Sequence, residues 1–359
     1  MGSTGSQPKR ALSITSDGST PRKSKRNSTT FKTVRQLNDF RYGGETRLVQ
    51  RSKHGRLFIK LEKTVDSQLA LERESRKINR KVLFPDPYIV KIDSFHYRDE
   101  QSCCNILWKI MIYVEYMERD LAKEILEKIA SKSIYPETEL EFLMENMICG
   151  LESLRKQSSP HRDIRPCNIL ISSFGLYKYV DPYLMNLNTE NPIRTKSNIK
   201  GKFVAPEELD AIKNGKDLSK LDPYLNDVFS MGMTLLEAAT LKPSRDLYNY
   251  SSLSINVSML QERLMSLKEK YSTFIYSAIK DMLEIDVNQR ATITNLFERV
   301  DPQKDLSRKK DIHSFVIERR HANQSLSHNE ISVSLINNRI SNGSTREPTP
   351  KTPSKVDFF

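Results

Sequence analysis

The chain has 359 residues, 37% of them apolar and 28% charged, with 57 Lys and Arg against 45 Asp and Glu for a formal charge of +12. That is too polar for a membrane protein: the longest apolar stretch, Cys103 to Met117, is broken by Lys109, and a bilayer crossing needs about 18–20 uncharged residues. The cysteines Cys103, Cys104, Cys149 and Cys167 form no CxxC pair, so they read as reduced thiols and not as a zinc site or a disulfide framework.

In chain order, residues 1–36 come first, with eight basic residues against one acid, Asp17. They open MGSTGSQPKR without an apolar h-region, so no secretory signal is expected. Ser, Thr, Asn and Pro dominate, which predicts a disordered basic tail. Residues 37–300 read as one folded unit. Its first part carries the β-rich runs RLVQ, RLFIK, YIVKI and WKIMIYVEYM, with a charged helical stretch near 65–80 between the second and third. The chain then turns helical. Leu140, Leu143, Met147, Leu151 and Leu154 recur at helical spacing behind a capping-box pattern, Thr138 with Glu141. Val228, Met231, Leu235 and Leu236 mark a second helix. Residues 301–359, with ten basic residues against seven acidic, predict a second, mostly disordered basic tail. The charge sits mainly in the tails, and a near-neutral centre argues against specific nucleic-acid binding. The fold class is therefore α+β: a small antiparallel-sheet lobe over about 37–115 and a larger, mostly helical lobe over about 116–300.

The strings that carry chemistry are FIK (to Lys60), HRDIRPCNILI (His161 to Ile171), KYVDPYL with Asp181 thirteen residues after Asn168, VAPEEL (Ala205, Pro206, Glu207), DVFSMG (Asp227 to Gly232) and IDVNQR (Asp286, Arg290). In this order and spacing they resemble a eukaryotic-type protein kinase domain with its bilobal fold, over roughly residues 38–300. The resemblance implies an ATP- and Mg2+-dependent enzyme of serine/threonine type acting on protein substrates. Phosphoryl transfer asks a protein for positioning and for cations against phosphate oxygens. By the motif, Asp163 sits beside the incoming hydroxyl, and Asn168 and Asp181 take the metal positions, hard oxygen donors of the kind magnesium prefers. Lys60 matches the phosphate-contacting lysine. Glu74 is its expected partner, with Glu72 as second choice. Arg165 stands where such enzymes usually have Lys and keeps the charge on a planar fork. Leu170 fits the residue beneath the adenine, Val114 the gatekeeper, and Glu115 to Met117 the hinge that meets the adenine edge. Glu207 with Arg290, and Asp227, match structural positions of the family.

Four places depart from the pattern. FRYGGETRLVQ offers only Gly43 and Gly44 for a phosphate-covering loop, and two adjacent glycines equally make a plain hairpin turn. Phe58 stands two residues before Lys60, where a small residue normally packs on the base. Either the pocket is reshaped, or the alignment slips by one, or the adenine site is partly filled. Asp181 is followed by Pro182 and Tyr183, not Phe-Gly, which restricts the segment and predicts loss of the family's Phe contact to the helix carrying Glu74. KGKFVAPE lacks the Thr usual near Lys200. With these departures the alternative reading is a weak or inactive pseudokinase acting as a scaffold.

The tails add expectations of their own. Gly2 with Ser6 fits a myristoylation pattern, and Lys9, Arg10, Arg22, Lys23, Lys25 and Arg26 would supply the second, electrostatic anchor to a membrane surface. PRKSKR serves equally as a nuclear-import patch. The expected location is cytoplasmic, with a membrane-associated or nuclear variant. Thr20, Thr349 and Thr352, each before Pro, resemble proline-directed phosphorylation sites. Thr195 and Ser197 fall where activation-segment phosphorylation occurs in the family, with Arg162 as the expected partner.

Overall fold

The computed structural model describes residues 31–37, 39–52, 55–101, 106–188 and 199–300. Among them, strands β1 (Phe31–Leu37), β2 (Thr46–Arg51) and β3 (Leu57–Val65) lead into helix α1 (Gln68–Leu83), and β4 (Ile92–Gln101) and β5 (Ile106–Glu115) follow. These strands form one antiparallel sheet in the order β1-β2-β3-β5-β4. The sheet has two apolar faces. Ile59 and Leu61 of β3 and Ile110, Ile112 and Val114 of β5 form a buried cluster with Leu71 and Ile78 of α1. Phe58 and Tyr113 point the other way and pack with Val49 and Phe31. Successive side chains on a strand alternate faces, so each residue of β3 is assigned to one cluster or the other.

The second lobe is helical. It contains α2 (Leu121–Ala130) after a short β6 (Arg119–Asp120), then α3 (Glu137–Lys156). Next come β7 (Ile169–Ile171) and β8 (Tyr177–Tyr179), which complete a small sheet in the order β6-β7-β8. The short α4 (Pro182–Met185), α5 (Pro206–Asn214) and α6 (Pro223–Thr240) follow; β9 (Tyr248–Asn249) pairs with β10 (Ser254–Ile255), and α7 (Val257–Lys268), α8 (Thr273–Met282) and α9 (Ile293–Val300) close the domain. Leu140, Leu143, Met147, Leu151 and Leu154 of α3 and Val228, Met231, Leu235 and Leu236 of α6 all lie in one core cluster, as their spacing predicts. Burying each such side chain is worth about 1.5–3 kcal/mol. At the start of α6, Asp222 accepts from the amides of Tyr224 and Leu225, and Pro223 takes the first helical position, where its missing N–H is no loss.

Three local expectations give way. The sheet starts at Phe31, inside the stretch assigned by composition to the tail. YIVKI is not a strand: Val90 donates to Tyr179 O (2.9 Å) and Tyr179 N to Tyr88 O (2.8 Å), so this segment pins the two lobes together. The adjoining strand is the polar run from Ile92 to Gln101, an edge strand with only β5 beside it. The capping box is not formed either: α3 begins at Glu137 with Pro136 as its cap and no side-chain cap bond.

Candidate active site

The loop from His161 to Asn168 connects α3 to β7 and is anchored from α6. The Asp227 carboxylate, 1% exposed, accepts from the backbone N–H of His161 (2.6 Å) and Arg162 (2.7 Å). That clamp holds Arg162 at φ +65°, a left-handed conformation that a side chain with Cβ rarely adopts. The turn this creates presents Asp163, whose own N–H donates to His161 Nδ1 (3.2 Å). Asn168 donates through Nδ2 to the Asp163 carbonyl (2.7 Å), which ties the two ends of the loop. Arg165 donates from Nη2 to Asp163 Oδ2 at 3.2 Å, while its Nε lies 3.1 Å from Oδ1 as an ion pair without hydrogen-bond geometry. Asp163, Arg165 and Asn168 are thus brought together in one loop.

Asp181 begins α4 as its N-cap, with Oδ1 accepting from Tyr183 N (2.8 Å) and Pro182 at the first helical position. Its Oδ2 is held by Lys81 Nζ at 2.7 Å, from the last turn of α1. Nothing in the sequence patterns marked Lys81. With no Phe in this segment, a polar link to the helix of Glu74 stands in place of the Phe contact. Tyr183 donates its hydroxyl to Glu74 Oε2 (3.0 Å), so a hydrogen bond links α4 to α1.

The lysine assignment needs correction. Lys60 lies on the face of β3 that carries Phe58, away from α1, and pairs with Glu62 at 2.7 Å in a group completed by Lys109 and Arg47. Lys63 lies on the face of Ile59 and Leu61, toward α1, and it is Lys63 Nζ that reaches Glu74 Oε2, at 2.8 Å. Glu74, expected to pair with Lys60, pairs instead with a lysine three residues further along the strand. Burial alone would raise the Glu74 carboxyl, but hydrogen bonds from Lys63, Lys77 and Tyr183 outweigh it and hold it at about 2. Phe58, on the same outer face as Lys60, has its ring under the Arg51 guanidinium (4.6 Å to the centroid) and puts nothing into the cleft. Lys63 shares its face with Ile59 and Leu61, but the opposite face is apolar too, so the sequence held no signal that would choose it over Lys60.

Between the lobes, Val114, Met117 and Leu170 are buried in the α1-side cluster. The Glu115 carboxylate is occupied, accepting from Lys91 N (2.6 Å) and paired with Lys178 Nζ (2.6 Å). Gly43 and Gly44 do not form an open cradle. Gly43 N donates to Leu184 O of α4 (3.0 Å), and a Cβ on Gly43 would stand 2.7 Å from both Leu187 N and Met185 O. The neighbouring Tyr42 is 3% exposed and joins the same buried cluster as Val114, Met117 and Leu170. The donor set for a nucleotide and a divalent cation is thus present in identity: Lys63, Asn168 and Asp181. The arrangement does not fit them, because Lys81 holds the Asp181 carboxylate and Tyr42 lies among the residues that would enclose a base.

Further out, Arg290, with its side chain 0% exposed, pairs bidentately with Glu207 (2.7 and 2.9 Å) and donates to Leu225 O and Glu284 O. This fixes the start of α5 to the late helices, as expected of that pair. Thr195, Ser197, Cys103, Cys104 and the phosphorylation and myristoylation patterns of both tails lie outside the described residues.

A model of the protein kinase domain matches residues 50–300. Among curated relatives, the chain is 29% identical over 127 residues to the membrane-associated tyrosine- and threonine-specific cdc2-inhibitory kinase wee-1.3 of Caenorhabditis briggsae, covering 35% of this chain and 18% of that protein. It is 26% identical over 162 residues to serine/threonine-protein kinase dst2 of Dictyostelium discoideum, covering 45% and 14%. It is also 26% identical over 168 residues to serine/threonine-protein kinase atg1 of the same organism, covering 44% and 22%. The matched stretches are less than a quarter of each relative's own length.

Proposed function

Because the chain belongs to the protein kinase domain family, we propose that it transfers the γ-phosphate of ATP to Ser or Thr hydroxyls of protein substrates with the help of Mg2+. The observation that carries this reading is the catalytic loop held ready by Asp227, with Asp163 presented at its turn and Asn168 braced against it. When bound, the nucleotide supplies the phosphoryl group and magnesium offsets its charge. The chain's own part is positional. Asp163 would orient the incoming hydroxyl and accept its hydrogen bond, Arg165 would keep a positive charge beside it, and Lys63, held by Glu74, would supply the ammonium for the phosphates. Asn168 and Asp181 would hold the metal only if Lys81 released the Asp181 carboxylate. The preference for Ser and Thr is supported by the Arg165-Pro166 pattern and by the names of two relatives.

The test is phosphate incorporation into a generic basic protein by wild type, by Tyr42→Ala and by Asp163→Asn. The first two should exceed the third, with circular dichroism showing the fold of all three intact. Equal incorporation by all three would refute the enzyme. A second reading, a non-catalytic binding module, is favoured by the Lys81–Asp181 ion pair, which places an ammonium where a metal would go. It predicts no Mg2+-dependent thermal shift with ATP even in Lys81→Met, and a shift in that variant would count against it.

A further inference from the structure

The loop between β1 and β2 does more than turn the chain. Asp39 and Arg41 pair with each other at 2.6 Å, and Arg41 reaches Asp120, the N-cap of α2, at 3.2 Å. That fixes one side of the loop to the helical lobe. On the other side Gly43 N donates to Leu184 O at 3.0 Å. Tyr42 lies between these two attachments. Its ring belongs to a cluster drawn from β3, β5, Met117, Leu170 and α4, and the Glu115 carboxylate is near enough to act on its phenol. Burial, then Asp39, pushes that phenol upward, so it is neutral at ordinary pH. The hydroxyl is buried and meets no hydrogen-bond partner among the described residues. A buried hydroxyl without a partner is unfavourable, so the ring's packing must outweigh a local penalty. A group designed only to finish a core would more simply be Phe.

We propose that Tyr42 occupies the space a purine would take between Val114, the hinge residues Glu115 to Met117 and Leu170, so that the β1–β2 loop is an internal competitor of nucleotide. This rests on the reading of the cleft as a nucleotide site. Gly43 then has a physical role: no side chain fits where it meets the α4 segment, since a Cβ there would be 2.7 Å from the backbone at Leu187 N and Met185 O, whereas one on Gly44 would meet only the movable Asn188 amide. The close approach at Gly43 latches the loop down. The Lys81–Asp181 pair belongs to the same closed state, because it holds the segment to which Gly43 is bonded.

The experiment measures ATP binding by calorimetry, with and without Mg2+, and amide exchange over residues 39–46, for wild type, Tyr42→Ala, Tyr42→Phe and Gly43→Ala. Tyr42→Ala should bind ATP at least tenfold more tightly than wild type. Tyr42→Phe should bind no more tightly than wild type, since the ring stays and the orphan hydroxyl goes. Gly43→Ala should resemble Tyr42→Ala and exchange faster across the loop. Equal ATP affinity in wild type and Tyr42→Ala, or tighter binding by Tyr42→Phe, would overturn the proposal. So would fast exchange of the Gly43 amide in nucleotide-free wild type, or a released loop in Gly43→Ala without any gain in ATP binding. A Tyr42→Ala protein that gains ATP affinity but transfers no phosphate would fail the enzyme reading and still support the occluding loop.

Discussion

Replacing Lys63 by Met should cost the protein far more than replacing Lys60, although Lys60 sits in the more kinase-like string. Lys60 loses one ion pair to Glu62 on the outer sheet face, and Glu62 keeps Lys109 and Arg47 within 3.6 Å. Partly exposed pairs of this kind contribute about 0.2–1 kcal/mol. Lys63 donates at 2.8 Å to a Glu74 side chain only 4% exposed, and a hydrogen bond to a charged buried group contributes about 1.5–3 kcal/mol. Lys77 and Tyr183 remain on Glu74, so the lower end, about 1.5–2 kcal/mol, applies. For a domain of this size that is a fall in melting temperature of about 4–6 °C, against about 3 °C or less for Lys60→Met. In the Tyr42→Ala background, Lys63→Met should also weaken ATP binding by about tenfold, equivalent to about 1.4 kcal/mol, and Lys60→Met should leave it unchanged. Thermal unfolding and calorimetry decide the matter. If Lys60→Met lowers stability and ATP affinity while Lys63→Met is silent, the assignment of strand faces is wrong.

Other outcomes follow from the same geometry. The Glu74 carboxyl is held at about 2 against an ordinary 4.5, so its contribution is complete above 4.5 and is lost as the pH falls from 4.5 to about 2. Glu74→Gln should flatten stability over that window, as read by denaturant titration at stepped pH; an unchanged acid limb would contradict it. Tyr183→Phe removes one donor to Glu74 and should cost about 1 kcal/mol in urea unfolding. Glu207→Ala leaves the buried Arg290 guanidinium without its carboxylate and should destabilise the domain by about 3–5 kcal/mol, whereas Arg47→Ala on the exposed sheet face should change unfolding by less than about 1 kcal/mol.

The catalytic loop and the long helices were legible because their signals are local. Asp163 and Asn168 are five residues apart in one turn, and Leu140 to Leu154 repeat on one helical stripe. The Glu207–Arg290 pair was legible from motif order alone. The lysine was not. Both faces of the first sheet are apolar, with Phe58 and Tyr113 on one and Ile59, Leu61 and Val114 on the other, so alternation gives no clue to which face meets α1. Lys60 and Lys63 differ by an odd number of residues and must lie on opposite faces, and only the packed helix chooses between them. Tyr42 and Lys81 escaped for a related reason: each acts across the lobes, on partners far away in the chain. Tyr183 shows the limit of reasoning by substitution, since its hydroxyl makes a different link to the same helix. The Asp181-Pro182 pair, a sequence signature of a helix start, was read only as restraint.

Strand β1 carries a practical lesson for anyone trimming this protein. Phe31 stacks on Tyr113 with ring centroids 3.9 Å apart, covering a platform that also holds Phe58. Lys32 and Arg35, with no strand beyond them among the described residues, supply the charge that discourages a foreign strand from adding to that border. A fragment beginning at residue 37 would lose the lid and the guard together. It would bare the flank of β2 beside uncovered aromatic rings, and self-association through that flank would then be mistaken for a native oligomer.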